Sequence, residues 1–576
     1  MTRRALIGFA CCLLGAYFCF SARAAGYLHR SHTVIVDSSG KPVQLRGVNL
    51  GNWLYIEPWM IGNTGFAMYQ DEDGKDDEMA AAVTDVVGTD RAAAFFSAWR
   101  DNAVTRADIQ KIAGMGFNSV RVPVDYRLFY DKSTGQDVDT GFRYLDKLLV
   151  WCAASHIYVI PDMHSMPGGK LGWVTGNIYG DPKKQEILAH VWGRIAARYK
   201  DNLWVGGYDL VNEPAVWDAA KLSGLYKKLI GAIRSVDTHH LVIVEGDAWG
   251  SRLDLLGMTT PSDVWDSNLA LSNHVYGSPL SPSPLTDLKQ QAAKLDLPLW
   301  MGEFGYNSNV WNHAMRGLAE KTDPNPEGWC LWAYKSSGIW SLTRFDIPDG
   351  YHRLMEYWNT KKRDASAPKP SAEDADAALT ALARGTAFTH CASRPDVADG
   401  LLRVDFPTRA IPFQAGLTIP GRIPAIAYDM GGDGAAYHDT VSTDEAGKGP
   451  AGRAWNDGWN GRNDGVDIYP QSDGGSADYD IGGIHLGEWT QYTIFSTPGN
   501  YAMQLRYRSP NGGKMHVEMG GANISGDITL PATGDWQTYG DATVPISVKA
   551  VGKTTLRLAF DSDGFSVRWI EFRRKK

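Results

Sequence analysis

YDLVNEP, residues 208–214, sets the reading of the chain. An aromatic and apolar run ends there in an amide, a carboxylate and a strand-breaking proline. Asp209, Leu210 and Val211 read as the end of a buried strand, which leaves Asn212 and Glu213 at its carboxyl tip. In a parallel barrel that tip is where chemistry is kept. A second stretch, LWMGEFGY (299–306), repeats the pattern with Glu303 closing another apolar run. Two glutamates on two strand ends match the demand of glycosidic bond cleavage. One holds a proton for the leaving oxygen, and the other attacks or activates water.

Working outward, residues 43–357 alternate strand-like and helix-like segments. Strands are expected near 43–50, 117–122, 157–162, 207–212, 241–245, 269–275, 298–303 and 328–333, with amphipathic stretches at 106–115, 144–155, 183–199 and 221–236. Eight β/α units of this size predict an α/β fold, a closed (β/α)8 TIM barrel. A long insertion at 62–88, acidic at 71–78 (DEDGKDDE), follows the first strand and falls on the active-site side as a solvated surface. Residues 372–384 read as a further helix, and Pro/Gly punctuation at 407–424 reads as a linker. Beyond it, short alternating strands separated by Gly, Asp and Asn predict a β-sandwich of jelly-roll type. The expected organisation is a signal peptide at 1–24, a catalytic barrel at 25–405, a linker at 406–424 and the sandwich at 425–576.

The composition narrows the partners. With 576 residues the chain exceeds one ordinary domain, and a net charge of −8 disfavours nucleic acid and anionic lipid. The 21 Trp and 25 Tyr suit a protein that stacks sugar rings, and they suit a large barrel core almost as well. Arg3 and Arg4 precede an apolar run at 5–20, and Ala22-Arg23-Ala24 fits a small-x-small cleavage site, so export to the periplasm or outside the cell is expected. Three of six cysteines would leave with that segment. Cys152, Cys330 and Cys391 remain, an odd number that predicts no disulfide framework. After cleavage no membrane partner is expected, and the protein is expected to be a monomer.

Further strand ends carry residues that periodicity alone would not put there. FNSVRVPV (117–124) places Arg121, YVIPDMHS (158–165) places His164, LSNHVYG (271–277) places His274 and Tyr276, and WCLWAYK (329–335) places Trp332. A cation beside a nucleophilic carboxylate holds it ionised, and a tyrosine hydroxyl can donate to the same group. A histidine near the proton donor can relay its proton, and an indole can floor a sugar subsite.

Together these residues resemble glycoside hydrolase family 5, whose pattern is matched by Arg121, His164, Asn212, Glu213, His274, Tyr276, Glu303 and Trp332 over residues 30–360. The resemblance implies a retaining mechanism with Glu213 as acid/base, Glu303 as nucleophile and Asn212 on the substrate's 2-hydroxyl. RGVNLGNWLYIEPW (46–59) and residues 94–121 are similar to the exo-β-1,3-glucanase branch, in which the glutamate matching Glu57 recognises a terminal glucose. The C-terminal stretches AYHDT (436–440), NDGVDIY (463–469), GEWTQYTI (487–494), LPATGDWQTY (530–539) and GFSVRWIEF (564–572) resemble family 6 carbohydrate-binding modules. That likeness implies an aromatic sugar grip using Trp536, with Trp455 or Trp459 opposite. The positions that would hold structural calcium are Pro424 and Ile426, which offer no side-chain oxygen, and the usual polar positions near the last strand are Ser566 and Arg568.

The expected function is therefore a secreted retaining hydrolase of β-glucan, exo-acting on β-1,3 linkages, with no cofactor and no metal. Endo-β-1,4-glucanase (cellulase) and β-1,6-glucanase action stay open, as does transglycosylation through the same residues. A non-catalytic carbohydrate-binding surface protein is the alternative from another class, and a metal-dependent hydrolase would need clustered His and Asp ligands.

Overall fold

The computed structural model describes residues 26–62, 78–168, 178–276, 283–321, 326–338, 340–440, 461–471 and 478–575. The expected signal peptide, the acidic run at 71–77 and both Trp455 and Trp459 lie outside the described residues.

Eight parallel strands close into a barrel: β1 (Arg46–Asn49), β2 (Ser119–Asp125), β3 (Tyr158–Ser165), β4 (Tyr208–Asp209), β5 (Val242–Glu245), β6 (Leu269–His274), β7 (Leu299–Phe304) and β8 (Gly328–Leu331). Neighbours in sequence are neighbours in space, and β8 pairs with β1 to complete the ring. These strands read as apolar runs rather than alternating patterns because helices cover the barrel outside while packed side chains fill it inside. All seven residues of β2 and all eight of β3 are buried. Helices Arg106–Gly114, Thr140–Ala154, Pro182–Tyr199 and Ala219–Arg234 occupy the amphipathic stretches, and each buries its apolar stripe. Asp181 and Asp218 cap the last two by accepting from backbone N–H groups of the first turn. At the amino ends of the strands, Leu45, Tyr158, Leu241 and Trp300 form an apolar plug joined by Leu28 and Ile35 of an N-terminal hairpin. Chemistry is thereby left to the other end.

The register decides what meets at that other end. Asn49 lies opposite Arg121, Asp162 opposite Asp209, Ser272 opposite Glu245, and His274 opposite Glu303. Polar residues from adjacent strands therefore share one layer above the apolar core.

Past the barrel, helix Ala372–Gly385 packs on helices Thr89–Ala103 and Asp349–Lys361, and helix Pro395–Leu402, which the sequence reading missed, packs on Asn309–Glu320. The sandwich that follows has two mainly antiparallel sheets, one centred on Trp489–Ser496 and Gly552–Phe560, the other on Gly499–Arg508 and Ser566–Arg574. Its core includes Tyr492, Met503, Leu505, Leu558 and Ile570.

The expected linker is corrected. Within it, Thr418–Ile419 pairs with Trp489–Ser496 and Gly421–Pro424 pairs with Ser566–Arg574, so the sandwich begins at 418 and not 425. Leu417, Ile419 and Ile423 alternate into the sandwich core. The Pro and Gly residues that suggested a tether instead punctuate two very short edge strands. Phe406 is also buried, and its carbonyl accepts from the Gly432 N–H.

Candidate active site

Arg121 is the centre of the barrel mouth. Its guanidinium, wholly buried, donates from Nη1 to Glu303 Oε1 at 2.6 Å, from Nη2 to Asn212 Oδ1 at 2.8 Å and Glu245 Oε1 at 3.0 Å, and from Nε to Asp209 Oδ2 at 2.8 Å. Asp162 Oδ1 lies 3.1 Å from Nη2, and Asn49 Oδ1 accepts from Nη1 at 3.2 Å. Only the planar five-donor fork of arginine can serve so many acceptors at once. Burial opposes its charge, but the surrounding carboxylates outweigh burial and hold the guanidinium well above its ordinary range. The carboxylates around it are not shifted alike. Burial, with Glu245 and Asp162 nearby, pushes Asp209 well up despite Arg121.

Glu303 is pushed the other way. Burial alone would raise it, yet His274 and Arg121 overcome burial, and with the hydroxyl of Tyr276 donating to Oε2 at 2.8 Å its pKa falls from 4.5 to about 2. Both oxygens are thus held by donors, and Glu303 itself is only 4% exposed. Glu213 differs. Its side chain is 18% exposed, and its Oε1 faces His274 Nδ1 at 3.0 Å. Its backbone sits at φ 48, a left-handed conformation that a non-glycine residue holds only when surroundings enforce it. Here the enforcing contact is its own N–H, which donates to Glu245 Oε2 at 2.7 Å.

Oxygens of Glu213 and Glu303 and a nitrogen of His274 lie within 4.8 Å of one another. Asp162, Asp209 and Glu245 form a second such group, but there the Arg121 guanidinium occupies the cationic position. By atom type the first group could take a metal ion, although Glu303 already has a donor on each oxygen.

The remaining expected residues join the same mouth. His164 Nδ1 pairs with Asp162 Oδ2 at 2.7 Å, its Nε2 lies 3.7 Å from Glu57 Oε1, and Trp332 stacks on its ring at 5.5 Å between centroids. Trp59 Nε1–H donates to Glu57 Oε2 at 2.9 Å, and the Trp59 indole stacks with Trp340 at 5.2 Å. Asn212 Nδ2 has no hydrogen-bond partner among the described residues, which leaves a buried donor facing the mouth. Gly51 lies close under Trp332, where a Cβ would stand 3.0 Å from the indole.

Sequence reasoning missed Glu245, Asp209, Asp162 and Asn49. A signal for Glu245 was present: VIVE (242–245) is another apolar run closed by a carboxylate.

In the sandwich, Trp536 is 45% exposed and borders a cavity of about 820 Å³ with Tyr469, Tyr539, Arg508 and Ser566. Among the described residues, Tyr469, Tyr539 and Phe565 share the cavity with it, together with the His485 ring. Ser566 Oγ is buried with no hydrogen-bond partner among the described residues.

A parallel barrel whose mouth pairs an ionised glutamate with a second, more open one is built like a glycoside hydrolase. Residues 36–338 match the family described as cellulase (glycosyl hydrolase family 5), and residues 460–574 match carbohydrate binding module (family 6). The first match spans more than half of the chain, which belongs to glycosyl hydrolase family 5 and carries a family 6 module. The chain is 27% identical over 387 residues to a beta-xylosidase of Phanerodontia chrysosporium, covering 60% of this chain and 79% of that protein. It is 27% identical over 274 residues to a probable glucan 1,3-beta-glucosidase A of Emericella nidulans, covering 40% and 65%. It is 28% identical over 178 residues to endoglucanase C of Acetivibrio thermocellus, covering 31% of this chain and 51%, about half, of that protein.

Proposed function

We propose that this chain is an exported retaining β-glucan hydrolase that removes glucose from non-reducing ends of β-1,3-glucan. The observation that carries the retaining assignment is the approach of Glu213 and Glu303 oxygens within 4.8 Å. Direct attack needs carboxyl groups about 5–5.5 Å apart, whereas an intervening water needs roughly 6.5–9.5 Å. In this reading Glu303, held ionised by Arg121, His274 and Tyr276, attacks the anomeric carbon and forms a glycosyl ester. Glu213 gives its proton to the departing glycosidic oxygen, then removes a proton from the water that cleaves the ester. The free Nδ2 of Asn212 is suited to a sugar 2-hydroxyl.

The exo reading rests on Glu57. It is 3% exposed, accepts from Trp59 and lies 3.7 Å from His164, on whose ring Trp332 stacks. A buried carboxylate among rings offers acceptors to the hydroxyls of a terminal sugar, and the Trp59–Trp340 stack beside it offers an apolar face to the same ring. The glucan 1,3-beta-glucosidase named among the relatives fits that reading, and the endoglucanase favours internal cleavage. Product profiling on laminarin, carboxymethyl-cellulose and pustulan separates them. Glucose as the sole early product from laminarin is expected. A ladder of oligosaccharides, or preference for a β-1,4 polymer, would overturn the exo-β-1,3 assignment. Export through cleavage after Ala24 is tested by the N-terminal sequence of the protein recovered outside the cytoplasm.

A further inference from the structure

Glu245 closes β5, is wholly buried, and touches three members of the site at once. Its Oε1 accepts from Arg121 Nη2 at 3.0 Å and lies 3.2 Å from His274 Nε2, and its Oε2 accepts from the Glu213 N–H at 2.7 Å. Arg121 Nη2 and the Glu213 N–H donate to this carboxylate, and His274 Nε2 stands within ion-pair distance of it without a hydrogen bond of good geometry to any described residue. On the helix side, the Tyr226 hydroxyl donates to the Glu245 carbonyl at 3.0 Å, which fixes the strand end from behind.

A neutral imidazole has one N–H and one lone pair, and the partner of one nitrogen sets the role of the other. A carboxylate oxygen 3.2 Å from Nε2 favours a proton on that nitrogen over a lone pair. Nδ1 then faces Glu213 Oε1 at 3.0 Å, with Glu303 Oε2 more distant at 3.6 Å. Either Glu213 is the acid and Nδ1 accepts its proton, or Nδ1–H donates to the Glu213 carboxylate. A single proton is shared between them.

We propose that Glu245 is a positioning residue for the acid/base proton: it holds His274 in its Nε2–H form, so that Nδ1 is the point where His274 exchanges a proton with Glu213. The sharing matters as the proton moves to the leaving oxygen while the C–O bond breaks, because His274 can then donate to the carboxylate left on Glu213. Geometry reserves the place: a Cβ on Gly302 would stand 3.2 Å from Nε2, and a Cβ on Gly250 would stand 2.8 Å from the His274 backbone nitrogen. The same surroundings, with burial opposed by Glu245 and Glu303, hold His274 well above its ordinary pKa of 6.5. Asp162 and Asp209 also face Glu245 across Arg121.

The inference rests on the acid/base role proposed for Glu213, and two measurements keep the two apart. The first needs no substrate: 15N imidazole shifts of His274 in the intact protein should report Nε2 protonated at every pH at which it is folded. A tautomer with its proton on Nδ1 and a bare Nε2 overturns the proposal. The second compares Glu245→Gln with Glu245→Asp in the full chain. The glutamine amide cannot accept from all three donors, so the alkaline limb of kcat/KM should move down by about one pH unit or more. The loss should be at least tenfold larger on aryl β-glucosides with poor leaving groups than on those with good ones. Glu245→Asp keeps the charge and should restore the limb. An unmoved limb with equal loss on both substrates would show that Glu245 only holds structure. If Glu213 itself were not the acid, Glu213→Ala would show no leaving-group dependence while the tautomer result stood.

Discussion

At the scale of single residues, the site divides two chemically identical side chains by their surroundings. Glu303 is enclosed by donors, and Glu213 faces a histidine at a more open edge. Glu303→Ala should therefore lose activity on every β-glycoside by several kcal/mol of transition-state stabilisation, on the order of a thousandfold or more. Glu213→Ala should retain turnover of substrates with good leaving groups, and azide should accelerate it. Identical responses of the two variants to leaving group and azide would contradict the division. The pH dependence follows in sign. Glu303 falls from 4.5 to about 2 because His274 and Arg121 overcome burial, so its favourable interactions are fully present above about pH 4.5 and are lost as pH falls through about 2. His274, raised by Glu245 and Glu303 against burial, contributes in the opposite sense: its share is present below pH 6.5 and lost as pH rises through its elevated value. The acid limb of kcat/KM should thus stay flat through the ordinary glutamate range. Tyr276→Phe removes one donor from Glu303 and should move that limb upward, and a limb at 4.5 in both proteins would contradict the lowered pKa.

At the scale of elements, strand register converts sequence into a site. All eight barrel strands were legible because a short apolar run closed by a polar or aromatic residue fits a buried parallel strand better than an amphipathic helix. The buried partners of Arg121 were not. Asp162 and Asp209 sit inside such runs and resemble any carboxylate near a strand end, and only the ring closure shows that they face one guanidinium. The short helix Pro395–Leu402 was missed because a single helical stretch of eight residues carries too few apolar positions to reveal a period. The closeness of β6 and β7 has a testable consequence. A Cβ on Gly302 would lie 2.6 Å from Ser272 Oγ and 3.2 Å from His274 Nε2. Gly302→Ala should destabilise the barrel by about 1–3 kcal/mol and lower kcat, as overpacking forces the ring off its position. Calorimetry and kinetics on the purified variant check both, and a fully active variant of unchanged melting temperature would argue against so tight a register.

At the scale of the whole molecule, the sandwich is docked rather than tethered. Asn463, wholly buried, accepts from the Asn309 N–H through its carbonyl at 2.7 Å and donates from its own N–H to Asp396 Oδ2 at 2.9 Å. Its Nδ2 reaches the Tyr306 carbonyl at 3.3 Å, three residues beyond Glu303 in the chain. The Pro/Gly texture of residues 407–424 concealed this contact, since composition reports turns and not what they pack against. Unfolding of the intact protein should accordingly be one coupled transition. Asn463→Ala keeps the two backbone bonds but takes the side-chain donor from the Tyr306 carbonyl and Asn309 Oδ1 at a cost of about 1–3 kcal/mol, and should lower and broaden that single transition. Two independent transitions in the unaltered protein would show that the docking carries no stability.

The retaining double displacement is tested most directly by trapping its intermediate. A 2-deoxy-2-fluoro-β-glucoside with a good leaving group should inactivate the protein with one label per chain. Mass spectrometry of the digest should place that label on the peptide containing Glu303, and NMR of the ordinary reaction should show the β-anomer as first product. A label on any other residue, or the α-anomer as first product, would contradict the assignment of Glu303 as nucleophile.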